Sequence, residues 1–271
     1  MRILALEFSS AQRSVAVCQE TSGAQRSARP TTLVNEQAAL SGLPDGLQHQ
    51  GRARSPLRAA APCVESGLRR ATECAPYHQS VAHAAAAGGR STRAFALIQA
   101  ALQQAQCERE DIECLAVGLG PGSYTGIRVA IAIAQGWQLA RAVKLLGLSS
   151  AECLAARLQA EGRAGRYAIA IDAQRNEFYV ATGEVTPAGW RETEPLRLVP
   201  FTELQRRADA GEQLVGPELT QWFASARELF PDAATLGRLA AERSDFVAGE
   251  QLAPIYLRPT AFVKAPPPRF A

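Results

Sequence analysis

The sequence predicts an α/β protein of two lobes, and three observations favour this fold class. The chain opens with two runs rich in strand-forming residues, ILALEF and RSVAVCQ, which the polar SSAQ separates, as is typical of a β-hairpin. Its middle predicts a strand, a glycine-rich loop, a helix and a strand, an order that implies a parallel pair with a right-handed crossover. The second half opens in a similar way, because two alternating runs around AQRN predict another hairpin.

The elements of the first lobe follow in order after residue 89. Residues 91–106 predict a helix with apolar side chains at helical spacing, and Ser91 or Thr92 is a candidate cap. DIECLAVG predicts a buried strand, residues 125–142 a second helix, and KLLGLSS a strand that leaves the sheet.

The second lobe begins with the predicted helix AECLAARLQAEG, followed by the hairpin in RYAIAIDAQRNEFYVATGEV. FTELQRRADA predicts a helix, EQLVGP a short strand, and AATLGRLAAERSDF a helix, before a proline-rich tail that contains PIYLRP. Residues 20–89 differ from both lobes, since Ala, Arg, Ser, Pro and Gly dominate them without sustained periodicity. We expect a long, low-complexity, loosely ordered insertion there, with the edge strand of a sheet as an open alternative near its end.

Composition limits the possible functions. The 271 residues are 47% hydrophobic, and 29 basic against 26 acidic residues leave a net charge of +3, too small to predict a nucleic-acid surface over the whole protein. No run approaches the roughly 18 apolar residues of a membrane span, and the first residues lack a signal-peptide pattern, so we expect a cytoplasmic protein without membrane contact. The cysteines lack CxxC spacing, so we expect them reduced and mostly buried: Cys18, Cys63, Cys74, Cys107, Cys114 and Cys153.

The stretch GLGPGSYTGIR is the strongest candidate for a functional loop. It lacks the lysine of a Walker loop, and Ser123 stands where a dinucleotide-binding fingerprint needs its third glycine. A tight strand-to-helix turn is the favoured interpretation, and the binding of an anion at the helix N-terminus is the open alternative. The candidate residues are Gly118, Gly120, Pro121, Gly122, Ser123, Tyr124, Thr125, Gly126 and Arg128.

Five blocks of the sequence resemble the TsaB family: ILALEFSS, AVGLGPGSYTGIRVAIAIAQGWQLA, GLSSAECLA, IDAQRNEFYVA and APIYLRP, in that order. The resemblance implies a two-lobed fold of the actin and sugar-kinase class, which is ribonuclease H-like. It places the N-terminal lobe at residues 1–147, with the insertion at about 20–89, and the C-terminal lobe at 148–271, whose last helix is a candidate to pack back on the first lobe.

The resemblance also implies a function in making threonylcarbamoyladenosine next to the anticodon of tRNA. TsaB proteins act there as a non-catalytic subunit beside the catalytic paralogue TsaD and the ATPase TsaE. The implied partners are therefore a TsaD-type subunit and a TsaE-type ATPase, with a homodimer for the chain alone and tRNA contacted mainly through the complex. We expect the interface on the two helices of the first lobe, at Leu97, Ala101, Val129, Ile133 and Trp137.

The histidines and serines of this chain differ from the metal ligands of the catalytic paralogue. TsaD holds its metal through HxxxH and a later Asp, whereas the histidines here are His49, His78 and His83, and the last two are five positions apart. Ser149 and Ser150 stand where the paralogue has a metal histidine, and no second glycine-rich loop follows. We therefore expect no catalytic residue, no metal and no cofactor.

Three alternatives stay open. Glu7, where TsaB proteins usually carry Asp, either faces a cleft or is a hydrogen-bonded hairpin residue, which is favoured. The chain could instead act alone as an ATP-dependent transferase or kinase, or as a peptidase, although Ser123 lacks the GxSxG pattern. A direct tRNA-binding module is the third possibility, with the basic residues of the 20–89 segment as its candidates.

Overall fold

The computed structural model describes residues 1–20, 78–87 and 94–258, and these form two five-stranded sheets with five α-helices. The strands of the first sheet are β1 (Arg2–Glu7), β2 (Gln12–Glu20), β3 (His78–Ala87), β4 (Cys114–Gly118) and β5 (Lys144–Leu148). Helix α1 (Ala94–Gln104) precedes β4, and helix α2 (Tyr124–Ala140) connects β4 to β5.

Helix α3 (Ser150–Ala160) leads from β5 to the second sheet. The strands of that sheet are β6 (Gly165–Asp172), β7 (Glu177–Thr186), β8 (Gly189–Pro200), β9 (Leu214–Gly216) and β10 (Arg227–Glu228). Helices α4 (Phe201–Asp209) and α5 (Ala233–Ala241) follow β8 and β10, and short 3-10 helices lie at Arg109–Asp111, Leu219–Gln221 and Gly249–Gln251.

The strand order of the first sheet is β3-β2-β1-β4-β5. The three strands β1, β4 and β5 are parallel, and β2 and β3 extend the sheet as an antiparallel meander. Parallel strands end at the same edge of a sheet, so Glu7, Gly118 and Leu148 share one edge. We call it the carboxyl edge.

Both faces of the first sheet are covered. Helices α1 and α2 pack on one face, where Ile98, Leu102 and Ile127 meet Leu4 and Leu115 in one core cluster. Helix α5 follows the last strand of the second sheet in sequence. It packs on the opposite face of the first sheet, against β1 and β2. The division into lobes at residue 147 stays a prediction, because α5 belongs by sequence to one lobe and packs on the sheet of the other.

The second sheet has the order β10-β9-β6-β7-β8 and two cores of its own. Leu154 and Leu158 of α3 pack with Ile169 on one face. Leu204 of α4 and Phe178 of β7 pack on the other. The α/β architecture therefore agrees with the fold class predicted from the sequence.

Most predicted elements are confirmed, the open alternative of an edge strand near the end of the 20–89 segment is present, and two strands were not predicted. β3 takes up residues 78–87, so the predicted insertion at 20–89 includes an edge strand near its end. β8 was not predicted. It is an edge strand with a solvated outer face, and its charged side chains obscure the alternation of apolar and polar residues that identifies a strand. β10 has only two residues, too few for any pattern. Ser91, Thr92, His49, Cys63 and Cys74 lie outside the described residues.

Two findings in the described part of the chain agree with the expectations from composition. Its four cysteines are buried, as predicted: Cys18, Cys107, Cys114 and Cys153. No helix within residues 1–20, 78–87 and 94–258 is long and apolar enough to cross a membrane.

The contact between α5 and the first sheet predicts opposite effects for two Gly→Ala substitutions. A Cβ at Gly237 would overlap Cys18 Sγ, whereas a Cβ at Gly136 in α2 meets nothing within 4 Å. We expect Gly237→Ala to lower the free energy of unfolding by about 1–3 kcal/mol. Gly136→Ala, the matched control, raises it by about 0.5–1 kcal/mol. Urea denaturation measures both, and equal effects would contradict this packing.

Candidate functional site

The carboxyl edge of the first sheet brings the candidate functional residues together. Glu7 ends β1, the glycine loop follows β4, and Ser149 and Ser150 follow β5. The loop is tied to β5 and α3 by main-chain hydrogen bonds: Leu119 N donates to Leu148 O at 2.8 Å, and Ser150 N donates to Gly120 O at 2.7 Å. The parallel strands therefore place all three segments side by side.

The Glu7 side chain is fully buried at this edge. Its Oε1 accepts a hydrogen bond from Ser9 N at 2.9 Å, and its Oε2 accepts one from Ser150 Oγ at 3.1 Å. Burial raises the pKa of Glu7, the hydrogen bonds from Ser9 and Ser150 oppose this shift, and the Asp232 charge adds to it. The structure therefore supports the favoured interpretation of Glu7 as a hydrogen-bonded residue, and its partners lie beyond the hairpin as well as within it.

The glycine loop packs against the turn that joins β1 to β2. A Cβ at Gly118 would overlap the Glu7 carboxyl, one at Gly122 would overlap Ser9 O, and one at Gly126 would overlap Phe8 O. Ser123 N donates to Ser9 O at 2.6 Å, which joins the loop to the turn. These are the contacts of the favoured structural turn, because the protein's own backbone occupies the space beside the loop.

The remaining loop residues begin helix α2. Ser123 Oγ accepts a hydrogen bond from Gly126 N at 3.4 Å and caps the helix. This hydroxyl therefore has a structural partner and no base beside it among the contacts of the described residues. Tyr124, Thr125 and Arg128 are exposed, and Arg128 donates to Tyr124 Oη at 2.5 Å.

A second polar group lies near the carboxyl edge, around Asp232. This residue caps α5 by accepting from Thr235 N at 2.8 Å, and it forms an ion pair with Arg157 at 3.2 Å. Cys153 Sγ donates to Asp232 O, and burial raises the pKa of this thiol well above its usual range, so it is not activated as a nucleophile. Sequence analysis missed Asp232, although Asp before AATLG has the pattern of a helix cap.

His83 is the one histidine whose side chain the structure describes. Its Nε2 is buried without a hydrogen-bond partner in the structure, and burial lowers its pKa, against the opposing effect of Asp232. Within the described residues, no group of three or more His, Cys, Asp or Glu side chains is arranged to hold a metal ion.

Residues 247–258, here named the C-terminal strap, connect the site to the second sheet. Val247 pairs with Leu145, and Ile255 N donates to Leu119 O at 2.9 Å beside the glycine loop. Tyr256 meets Tyr124 edge to face, with ring centroids 5.4 Å apart. The PIYLR block of the tail thus has a structural role that sequence analysis did not assign.

The outer surface of α1 and α2 carries exposed apolar side chains. Phe95 is 74% exposed and Leu139 is 91% exposed. Of the predicted interface residues, four are half-buried and pack partly on the core below them: Leu97, Val129, Ile133 and Trp137.

Ala101 requires a correction. Its side chain is fully buried in the core between α1 and the first sheet. It faces inward because it lies three positions after Ile98, which also faces the core, and residues three or four apart share a helix face. Ala101 is therefore not available to a partner.

Comparisons with known proteins agree with this geometry. A family model described as TsaD, tRNA N6-adenosine threonylcarbamoyltransferase, matches residues 81–192. The solved structure of YeaZ from Pseudomonas aeruginosa has a TM-score of 0.62 at 22% identity, over 94% of this chain and 99% of that one, which shows the fold. The chain is an α/β protein of the two-lobed, actin-like class.

Two curated relatives define the family more closely. The tRNA threonylcarbamoyladenosine biosynthesis protein TsaB of Escherichia coli (strain K12) is 30% identical over 183 residues, which cover 61% of this chain and 79% of that protein. The TsaB protein of Haemophilus influenzae is 37% identical over 68 residues, 25% of this chain and 29% of that protein. The chain belongs to the TsaB family.

The buried Glu7 carboxyl predicts that the free energy of unfolding depends on pH, and that Glu7→Gln removes this dependence. Because the folded chain binds the Glu7 proton more tightly than the unfolded chain does, this group's contribution to stability is full below the unfolded pKa of about 4.3 and falls as pH rises toward the raised pKa. Gln does not ionise, so stability should shift in favour of the variant as pH rises, by about 1.4 kcal/mol for each unit of pKa elevation.

Urea denaturation between about pH 4.5 and 7.5 measures this difference. Glu250→Gln, which removes an exposed carboxyl, is the matched control. A stability difference for Glu7→Gln that stays constant across this range would contradict the role of the buried carboxyl.

Proposed function

We propose that this chain is a non-catalytic subunit in the formation of threonylcarbamoyladenosine on tRNA, and that it binds a TsaD-type transferase. Its TsaB relatives carry that biosynthetic function in their names. The observation that carries the proposal is the contrast between two parts of the first lobe. The carboxyl edge is filled by the protein's own chain, whereas the helices beside it expose apolar side chains.

The filled edge argues against chemistry at the glycine loop. Ligands of open α/β sheets bind outside the carboxyl ends of the strands. Here the Phe8 and Ser9 backbone occupies that position against Gly122 and Gly126. Glu7 is buried and bonded to Ser150, so it does not face a substrate. None of these contacts favours the alternative of an independent transferase, kinase or peptidase.

The outer surface of α1 and α2 has the chemistry of a protein interface. Helix α1 contains no charged residue, and Arg128 is the one charged residue of α2. Ala132 and Gly136 are exposed small residues on α2, and they would let a partner backbone approach closely. Phosphate binding depends on Lys and Arg, so this surface fits a protein partner better than tRNA.

The other partners follow from the same surface and from family membership. We propose that tRNA and a TsaE-type ATPase are contacted mainly through the complex with the TsaD-type subunit. A chain alone would cover its apolar helices by forming a homodimer. An interface of ordinary size buries about 800 Å² on each partner.

A charge in the centre of the α2 surface should weaken binding to the TsaD-type protein. Ala132→Glu buries an unpaired carboxylate in the proposed interface, and we expect affinity to fall at least tenfold, which corresponds to about 1.4 kcal/mol. Ala160→Glu is the matched control, because Ala160 is an exposed alanine on helix α3. Surface plasmon resonance with the host's TsaD-type protein measures both variants, and equal affinities would contradict the placement of the interface.

The cellular function has a separate readout. Host cells whose own copy is replaced by Ala132→Glu should contain less threonylcarbamoyladenosine in their tRNA, as measured by mass spectrometry, at an unchanged level of folded protein. Formation of the modified nucleoside by this purified chain with no TsaD-type protein present would overturn the proposal.

A further inference from the structure

Arg128 is the one charged residue of helix α2. Ala132 and Gly136 follow it at intervals of four positions, and all three residues are exposed. Residues four apart are neighbours on a helix surface, so Arg128 lies on the same face of α2 as the proposed interface. Tyr124, one turn before Arg128, is 46% exposed and continues this face to the start of the helix.

No ion pair within residues 1–20, 78–87 and 94–258 includes Arg128. Other arginines of the same region do have carboxylate partners. Arg141, directly after α2, pairs with Glu110 at 3.8 Å, and Arg258 of the C-terminal strap pairs with Glu177 at 2.5 Å. The described part of the chain therefore leaves the charge of Arg128 without a counter-ion.

Contacts within the chain orient the guanidinium of Arg128. Its Cζ lies over the Tyr124 ring, 5.1 Å from the centroid, and its Nη1 donates a hydrogen bond to Tyr124 Oη at 2.5 Å. The Tyr124 ring in turn meets Tyr256 edge to face, with centroids 5.4 Å apart. Tyr256 is held by its neighbour in the strap, Ile255, whose N donates to Leu119 O at 2.9 Å. The guanidinium is therefore oriented before a partner binds, which lowers the entropy cost of binding.

A cation on this surface needs an anion from the partner. An interface that covers Arg128 removes water from its guanidinium, and a buried charge without a counter-ion is strongly unfavourable. The planar guanidinium matches a carboxylate or a phosphate, because two parallel N–H groups can donate to two oxygens. RNA is bound through several phosphates by several cations, whereas α2 offers one. The otherwise uncharged surface of α2 therefore fits a carboxylate of a protein partner.

A second copy of this chain does not supply that carboxylate from the same surface. Helices α1 and α2 contain no Asp or Glu. In a symmetric homodimer both copies present the same patch, so Arg128 of one copy would find no counter-ion on α1 or α2 of the other. A carboxylate opposite Arg128 therefore distinguishes a different protein from a second copy.

We propose that Arg128 binds an aspartate or glutamate of the TsaD-type subunit, and that Tyr124 positions its guanidinium for this contact. The inference rests on the proposed function, because it names a contact within the same interface. It adds a source of selectivity. The apolar side chains of α1 and α2 would pack on either partner, whereas Arg128 gains a counter-ion from the TsaD-type subunit alone.

The test measures the affinity of the full chain for the host's TsaD-type protein by surface plasmon resonance at low and at high salt. At about 50 mM NaCl, Arg128→Gln should bind at least about fivefold more weakly than wild type. At about 500 mM NaCl this difference should fall below about twofold, because salt screens the lost charge interaction. Arg206→Gln is the matched control, since Arg206 is an exposed arginine of helix α4, and it should bind as wild type does.

The positioning by Tyr124 has its own readout. Tyr124→Phe keeps the ring and removes the hydroxyl that accepts from Arg128. It should weaken binding by about threefold in the wild-type chain and leave the affinity of Arg128→Gln unchanged, because the hydroxyl acts through the guanidinium. Equal effects in both backgrounds would contradict this role of Tyr124.

Self-association of the chain alone gives a third measurement. By sedimentation velocity, Arg128→Gln should self-associate at least as strongly as wild type, because a second copy offers Arg128 no carboxylate from α1 or α2. Self-association that falls as much as binding to the TsaD-type protein would overturn the proposed selectivity.

Three further results would overturn the proposal. The first is wild-type affinity of Arg128→Gln for the TsaD-type protein, which would leave the proposed function in place, whereas a wild-type chain that does not bind that protein would overturn both. The second is a loss of affinity of equal size at both salt concentrations, which would mean lost packing and not a lost charge interaction. The third is binding of tRNA by the chain alone that Arg128→Gln abolishes, because the anion would then be a phosphate.

Discussion

The close approach of the Phe8–Ser9 backbone to the glycine loop determines the arrangement of the carboxyl edge. Two glycines, Gly122 and Gly126, allow main-chain atoms to pack where a Cβ would overlap a carbonyl oxygen. The contact fixes the entry of α2 through the bond from Ser123 N to Ser9 O. It also fills the space in which related α/β folds hold a ligand. One packing constraint thus orients the α2 surface and closes the edge beside it.

The buried carboxyl of Glu7 follows from the same constraint. Burying a carboxyl without hydrogen bonds costs several kcal/mol, so the fold must supply partners for both oxygens. Ser9 N is available because the turn is held in place, and Ser150 Oγ is available because α3 begins beside the loop. Glu7 therefore connects β1, the turn and α3, and its raised pKa is the consequence of placing this connection in the protein interior.

The sequence predicted the helices and hairpins better than it predicted which side chains face the core and which distant residues meet. Helical periodicity and alternating runs identified α1 to α5 and both hairpins, because each of these patterns is local. β8 was not predicted because Arg191, Glu192 and Glu194 lie in the exposed part of an edge strand. Its sequence therefore lacks the alternation of apolar and polar residues that burial of one face produces. The inward position of Ala101 was equally hidden, because alanines occupy several faces of α1 and only the packed sheet distinguishes them. The contacts of Glu7 with Ser150 and of Arg258 with Ala173 join residues far apart in sequence, which no local pattern reveals.

The proposed interface on α1 and α2 also limits which assemblies can coexist. A symmetric homodimer uses the same patch on both copies, so the proposed homodimer and the proposed TsaD-type complex would both use the surface that exposes Phe95 and Leu139. We infer that the two assemblies exclude each other and that their proportions follow from concentration and relative affinity. Because a homodimer buries two copies of one surface, its strength is set by how well that surface complements itself. A partner with a different surface can complement it better, and this difference would allow the proposed homodimer to yield to the proposed complex.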